Sequence, residues 1–409
     1  MSRLDNDQII TGDTFDELPS LSENSVHAIV TDPPYGLAFM GRDWDDFEPK
    51  EYQEWCEEWA REALRVLKPG GHMLAFSGNR THHRLFTGVE DAGFEIRDTV
   101  TWHYGSGFPK ALDVSKAIQK ANGVEPEAIN DATDNGMFAD DSEYNDCYNR
   151  HEMPEPEGAA ERWDGFKTAL KPATEYVVVA RAPLSEGTVA ENVQTHGTGA
   201  LNIDGCRVGS EPHEVSDTSY RTASTGEFSN QGIEPDERGT RIDEGRYPSN
   251  VVFDEQAAEA LDREVGTLET GDDVTRSASI WGNAGDGDGM EGEGYEDSGG
   301  PSRYFYTSKA SRAERTLDGT IDNAHPTVKP ADLMEWLVRL VTTEGQIVLD
   351  PFAGSGTTCR AAKDKARRFV GVERQSKWAD VARVRCGLTP DDPSVVRGDD
   401  AQSGMENWT

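Results

Sequence analysis

Short apolar runs alternate with amphipathic stretches near both ends of the chain. Residues 8–11, 28–31, 72–76, 96–103, 171–181, 346–350 and 367–373 read as strands. Their β-branched and aromatic residues, bounded by Gly, Pro, Asp or Asn, suit buried sheet positions. Between the second and third runs, residues 51–67 place Tyr52, Trp55, Cys56, Trp59, Ala60, Ala63 and Leu67 at i, i+3, i+4 spacing. That predicts a helix whose tryptophans face the core, and Lys68-Pro69-Gly70-Gly71 is expected to end it. Residues 80–92, 332–343, a stretch from about Thr358, and 376–386 predict further helices, with Leu333, Trp336, Leu337 and Leu340 inward in the second. Alternation of this kind predicts an α/β fold. It is doubly wound, with a mainly parallel sheet built from right-handed βαβ units.

The middle of the chain breaks this rhythm. Residues 125–164 turn acidic and polar, which predicts an exposed, partly disordered insertion. Residues 183–300 are rich in Gly, Ser, Thr and acidic residues, with ordered patches at 197–207 and 246–253. Asp286-Gly287-Asp288-Gly289 lacks the terminal Glu of a calcium loop, so no metal is assigned. The expected division is therefore 1–181, 182–300 and 301–409. Residues 301–315 are aromatic and basic in an otherwise acidic chain. Lys309, Arg312 and Arg315 are candidates for phosphate contact beside stacking rings; a packed strand with solvated charges fits the same residues.

Charge changes the picture most. The 409 residues carry a formal net charge of −36, and the 40 cationic residues comprise 12 Lys and 28 Arg. An acidic, lysine-poor surface reads as adaptation to high salt; an acidic mesophilic protein with disordered acidic loops fits the same composition. It is the wrong sign for a polyanionic partner at low ionic strength. At molar salt, however, the Debye length is about 3 Å and general repulsion is screened. The five cysteines are far apart and form no Cys-x-x-Cys pair, which predicts free thiols in a reducing compartment. With no apolar leader and no membrane-spanning run, a cytoplasmic location is expected.

The candidate chemistry lies at the ends of two strands. Asp32-Pro33-Pro34-Tyr35 follows Ala28-Ile29-Val30-Thr31. The prolines stiffen the turn and present carbonyls only. Asp32 and the Pro33 carbonyl can both accept from one NH2 group while Tyr35 stacks on the ring that carries it. That is a site for a planar amine, although a surface turn uses the same residue types. Pro351-Phe352-Ala353-Gly354-Ser355-Gly356-Thr357-Thr358 follows the strand ending at Asp350, and its glycines permit a tight turn close to a ligand. No third glycine completes a nicotinamide-dinucleotide fingerprint.

Four motifs occur in this order: Asp-Pro-Pro-Tyr, His325-Pro326-Thr327-Val328-Lys329-Pro330, Phe352-x-Gly354-x-Gly356, and Val370-Gly371-Val372-Glu373. Together they resemble the DNA amino-methyltransferases that use S-adenosylmethionine, in the circularly permuted β-group order. The 197–207 and 246–253 patches resemble segments of archaeal and phage members. The resemblance implies a Rossmann-like methyltransferase sheet with target recognition in the irregular insertion. It implies catalysis by Asp32, Pro33, Pro34 and Tyr35. It implies cofactor contacts from Asp13, Lys329, Pro330, Asp350, Phe352, Gly354, Gly356, Thr357 and Glu373, with Gly398-Asp399 a rival to Gly12-Asp13. Trp102, at a strand end, is expected either to line the target-base pocket or to close the core, and nothing marks His103 as a base. The implied partner is double-stranded DNA. A cognate restriction endonuclease is a candidate partner, and the oligomeric state is left open. Adenine N6 is the expected acceptor because Asp leads the motif; cytosine N4 and an inactive DNA-binding module are the alternatives.

Overall fold

The computed structural model describes residues 4, 6–37, 47–107, 111–128, 151–216, 240–269, 298–308, 316–317, 319–321, 323, 325 and 328–396. The chain forms two compact units, 106–173 and the remainder. The smaller unit holds helix Val114–Ala121, capped by the Asp113 carboxylate at 3.2 Å from the Lys116 amide. Ser115 and Gln119 tie it to the carbonyls of Ala160 and Pro154 at 3.0 and 2.7 Å.

The larger unit is built on nine strands. In chain order they are β1 (Gln8–Thr11), β2 (Val26–Thr31), β3 (Leu67–Ser77), β4 (Glu95–His103), β5 (Thr174–Arg181), β6 (Val251–Asp254), β7 (Tyr306–Ser308), β8 (Ile347–Asp350) and β9 (Arg368–Glu373). Across the sheet the order is β1-β9-β8-β2-β3-β5-β4-β6-β7. Every neighbouring pair is parallel except those made by β5, which is antiparallel to β3 and β4. The predicted mainly parallel α/β sheet is what the chain forms.

Successive strand residues feed opposite faces, as the period of two requires. Val30, Leu74, Phe76, Val177 and Val179 join one core, with Leu333, Trp336 and Leu337 of the helix Ala331–Val341. Ile29, Met73, Ala75, Val178 and Ala180 join the other, with Trp59, Ala60 and Ala63 of the helix Pro49–Val66. The longer helices among this unit's described residues are α1 (Pro49–Val66), α2 (His82–Asp91), α3 (Val189–His196), α4 (Glu255–Val265), α5 (Ala331–Val341), α6 (Thr357–Asp364) and α7 (Ser376–Arg385). Trp59 and Trp336 are both buried, as their spacing predicted. Truncating either to Ala would cost about 3–5 kcal/mol.

Two expectations change. The strand after α1 begins at Leu67, not His72. Val26 pairs with Leu67 and Ala28 with His72, so Lys68 to Gly71 bulge out of the ladder rather than lying wholly outside it. Gly70 supplies the positive φ this needs, at 75°. The 183–300 stretch was expected to lack βαβ rhythm. Yet β6, α4 and β7 form a parallel β-α-β unit that extends the sheet beyond β4. Its return strand lies some fifty residues downstream and has only three residues, so local periodicity did not reveal it. The rest of the 197–207 patch packs on α5, with Trp336 Nε1 donating to the Cys206 carbonyl at 3.3 Å. No described helix is long and apolar enough to cross a membrane.

Candidate active site

The strand order reverses between β8 and β2. From β8 the chain passes through α6 to β9 on one side; from β2 it passes through α1 to β3 on the other. Crevices at the carboxyl edge of such a switch point are where open α/β sheets bind ligands. Both motifs end there. Val348 pairs with Ala28 and Leu349 with Ile29, and the Thr31 hydroxyl donates to Asp350 Oδ1 at 2.7 Å. One hydrogen bond thus joins the root of Asp-Pro-Pro-Tyr to the root of the glycine turn.

On the β2 side the turn is held rigidly. The Tyr52 hydroxyl of α1 donates to the Pro34 carbonyl at 2.9 Å. Gly36 has φ 64°, and a Cβ there would meet the Tyr52 ring at 2.7 Å. Asp32 Oδ1 accepts from the Tyr35 hydroxyl at 2.8 Å, and Asp32 Oδ2 from the Lys329 ammonium at 2.8 Å. Glu175, on β5, completes the group: its Oε2 lies 3.0 Å from the Tyr35 hydroxyl and 3.1 Å from Lys329 Nζ. Lys329 Nζ is also 3.1 Å from Tyr35 Oη and 5.4 Å from the Tyr35 ring centre. Burial pulls the Lys329 pKa down, but the Asp32 and Glu175 carboxylates outweigh it and hold the ammonium well above its ordinary value. Burial pushes the Tyr35 phenol up, and the same two carboxylates add to the rise.

On the β8 side Asp350 is buried. Burial raises it to about 6, against hydrogen bonds from Thr31, Thr358 and the Phe352 amide. Gly354 and Gly356 take φ 52° and 80°. A Cβ on Gly354 would meet the His325 ring at 3.2 Å, and one on Gly356 would meet Ala382 Cβ at 2.7 Å. The Gly354 amide donates to Glu373 Oε2 at 2.9 Å and the Gln375 amide to Oε1 at 2.7 Å. Burial raises the Glu373 carboxyl. β1 runs beside β9, pairing Thr11 with Glu373, so Asp13 arrives next to Glu373. Asp13 caps the turn Thr14–Glu17 by accepting from the Phe15 amide at 3.0 Å.

This edge fits S-adenosylmethionine. Carboxylates end three adjacent strands, offering acceptors for a ribose diol and counter-charge for a sulfonium. Glu373 keeps two of about four lone-pair sites after its two backbone bonds. The glycine turn leaves no side chain between backbone and ligand. Phe352 and Thr357 use their side chains internally. Phe352 packs 5.4 Å from both Trp55 and Trp59, and Thr357 accepts from Arg385 at 3.0 Å. Pro330 caps α5. Lys329, expected on the cofactor side, has its ammonium in the Asp32 group.

Trp102 is half-buried against the core, opposite Glu175 in the β4–β5 ladder, with its ring 5.1 Å from Tyr104. Its Nε1 is buried and has no hydrogen-bond partner among the described residues. His103 is held by Thr174 at 3.0 Å and Thr101 at 3.1 Å, and burial lowers its pKa. Lys309, Arg312, Arg315, Gly398 and Asp399 lie outside the described residues. The described start of the basic stretch is packed strand and turn: Tyr306 stacks on Trp336 at 5.3 Å, and Arg303 lies 4.4 Å over Tyr304. No group of described residues has the makings of a metal site. Sequence reasoning missed Glu175. Its signal was a lone acidic residue at the head of the apolar run Tyr176-Val177-Val178-Val179-Ala180.

Comparison with known proteins agrees with this geometry. The sequence profile of the DNA methylase family N6_N4_Mtase matches residues 26–383. The chain is 24% identical over 421 residues to the Type II methyltransferase M.HindIII of Haemophilus influenzae, covering 93% of this chain and 96% of the relative. It is 34% identical over 113 residues to M.HpaI of Haemophilus parainfluenzae, covering 26% of this chain and 35% of the relative. The solved PvuII DNA methyltransferase (cytosine-N4-specific) aligns over 99% of this chain and 95% of its own, at 14% identity and a TM-score of 0.46. With the family profile spanning both strand-end motifs and the sheet between them, the chain belongs to the N6_N4_Mtase family of DNA methylases, S-adenosylmethionine-dependent enzymes.

Proposed function

We propose that the protein methylates the N6 amino group of adenine at specific sites in double-stranded DNA. The observation that carries this reading is the meeting of Asp32 and Tyr35 with the Asp350–Gly354 turn at one sheet edge, joined by the 2.7 Å Thr31–Asp350 bond. A carboxylate that can accept from NH2 stands beside a turn that can hold a methyl donor. The choice of adenine rests on Asp as the first residue of the motif.

The chemistry follows from the acceptor. An exocyclic amine shares its lone pair with the ring and is a poor nucleophile. Asp32 and the Pro33 carbonyl accept its N–H groups, favour a pyramidal nitrogen and strengthen their hold as positive charge develops there. Pro34, locked by Tyr52, keeps that pair of acceptors in place. Tyr35 and Trp102 offer faces to a base drawn out of the helix, which is the only way the amine can reach the site. Glu373 and Asp13 would hold the adenosine end of the cofactor, and the Gly354–Gly356 turn would approach it closely. S-adenosylmethionine supplies the methyl group, its sulfur keeping the electron pair of the broken bond. No covalent link to the base is needed, which agrees with the buried thiols of Cys56, Cys206, Cys359 and Cys386.

Two further readings go with this one. The charge of −36 supports reading it as an enzyme adapted to high salt. The Type II name of the M.HindIII relative supports a cognate restriction endonuclease as partner. Methylated duplex DNA digested to nucleosides and analysed by mass spectrometry should contain N6-methyladenine. N4-methylcytosine in its place would overturn the choice of base and leave the amine chemistry standing. Neither product would overturn the function.

A further inference from the structure

Asp32 is already engaged before any base arrives. Tyr35 donates to one of its oxygens and Lys329 to the other, both at 2.8 Å. An ammonium that close, acting alone, would cancel the negative charge that a developing cation on the target nitrogen needs. The sheet answers this with its one reversed strand. The parallel strands bring their carboxyl ends to the active edge; β5 runs the other way, so its amino end arrives there. The second residue of β5 is Glu175. Its Oε2 lies 3.1 Å from Lys329 Nζ and 3.0 Å from the Tyr35 hydroxyl, and Lys329 is 8% exposed.

We propose that Glu175 is a positioning residue for methyl transfer, holding Lys329 and Tyr35 so that Asp32 keeps its charge and a free acceptor for the target amine. This rests on the methyl-transfer reading above. Two carboxylates against one ammonium leave one negative charge over. As the nitrogen–methyl bond forms and the sulfur–carbon bond breaks, the positive charge of the sulfonium passes to the amine nitrogen. The nitrogen returns to neutrality by releasing one N–H proton to solvent. The surplus negative charge stabilises the nitrogen while it is cationic. Each carboxylate oxygen has two lone-pair sites, so Asp32 can accept from the amine while Glu175 takes more of Lys329 and Tyr35. Glu175 reaches the reacting nitrogen only through those two side chains and is not itself a catalytic residue.

The test uses the full chain in high-salt buffer. Glu175→Gln keeps the shape of the side chain and removes its charge. Its single-turnover methylation rate should fall by at least about tenfold, less than the roughly 10²–10³-fold lost with a donor that touches the reacting group, because Glu175 acts through Lys329 and Tyr35. Its affinity for S-adenosylmethionine and its KM for DNA should change little. Glu175→Asp, which keeps the charge and shortens the reach, should fall between Glu175→Gln and the parent. In a Lys329→Met background the sign reverses. There Glu175→Gln relieves repulsion between the two carboxylates, so it should raise the denaturation midpoint and cost no further activity. Equal losses in the Asp and Gln variants, additive with Lys329→Met, would show a merely structural role and overturn the proposal. Parental turnover in Glu175→Gln with a dead Asp32→Ala would overturn this assignment alone. Parental turnover in Asp32→Ala would overturn the methyl-transfer reading beneath it.

Discussion

Replacing Lys329 by Met removes the only cation in contact with Asp32 and Glu175 among the described residues. The ammonium meets those carboxylates at 2.8 and 3.1 Å. Without it, two carboxylates 18% and 19% exposed share one Tyr35 hydroxyl, with Tyr104 and buried Asp350 nearby. Breaking a buried ion pair by removing one partner costs about 3–5 kcal/mol. Partial exposure puts this case at the low end, about 3 kcal/mol at neutral pH. The pH dependence has a definite sign. In the parent, the folded pKa of Lys329 is raised, so its contribution is complete below the ordinary lysine value of about 10.5 and is lost only as pH climbs through the folded value. Between pH 5 and 8 this group leaves parental stability flat. In the variant, the two carboxylates face each other with no cation between them, and that repulsion lasts only while both are charged. The deficit is therefore largest at pH 8 and shrinks as pH falls towards 5. Urea denaturation followed by circular dichroism, parent against variant at pH 5 and pH 8, measures it. Calorimetry should find S-adenosylmethionine binding little changed, and labelled-methyl incorporation should be reduced but measurable, because the ammonium sits with the proposed amine acceptor. A variant as stable as the parent at pH 8, or a deficit equal at both pH values, would refute the electrostatic account.

Asp32→Ala should abolish labelled-methyl incorporation while leaving cofactor affinity nearly intact; near-parental turnover would remove Asp32 from catalysis. Gly356→Val should weaken cofactor binding and stability together. It places a branched side chain at φ 80° and 2.7 Å from Ala382 Cβ, at a cost of about 1–3 kcal/mol from backbone strain alone; parental affinity and denaturation midpoint would mean the turn tolerates a Cβ. Folding and methylation should both improve from about 0.1 M to above 1 M KCl as the Debye length falls from about 10 to 3 Å. Maximal structure and activity at about 0.1 M would show that the acidity is no adaptation to salt.

What could be read from the sequence was whatever short-range pattern determines. Asp32 and Glu373 sit at the ends of apolar runs whose period and punctuation announce strands, and β2 and β9 are where those runs placed them. Gly354 and Gly356 announced a turn, and both have the positive φ that only glycine adopts freely. What could not be read depends on topology. Lys329 is 297 positions from Asp32, and its motif gave no direction for its ammonium. Glu175 belongs to the site only because β5 is antiparallel, and strand direction leaves no mark on a single run of residues. β7 is too short for any periodicity to show, and its place beside β6 follows from pairing alone. The bulge from Lys68 to Gly71 looked like a stop because Pro and Gly do end helices. Here they end one and also open the strand that follows.

The charge of the chain and the charge of its site are linked. Of the cations, Arg181, Arg367, Arg385 and Lys329 are buried, and the three arginines brace the framework. Arg385 donates to the Ser355 carbonyl at 2.8 Å and to Thr357 at 3.0 Å, beneath the glycine turn. Arg367 fixes the end of α5 through the Thr342 carbonyl at 2.7 Å. Arg181 pairs with Glu95 at 2.6 Å across β4 and β5. Guanidinium suits these places because it stays charged and donates in a fixed fork. Each cation turned inward is one fewer to meet phosphate; against these four, the acids Asp350 and Asp380 are buried, so among the described residues burial takes more positive than negative charge off the surface. At low ionic strength such a surface repels the backbone of DNA; at molar salt, repulsion beyond about 3 Å is screened. The Asp32, Glu175 and Lys329 contacts are shorter than that or close to it, and with Lys329 buried and both carboxylates largely covered, salt screens them less than exposed pairs. On the proposed function, salt would therefore remove the barrier to approach while leaving intact the charges at the amine site.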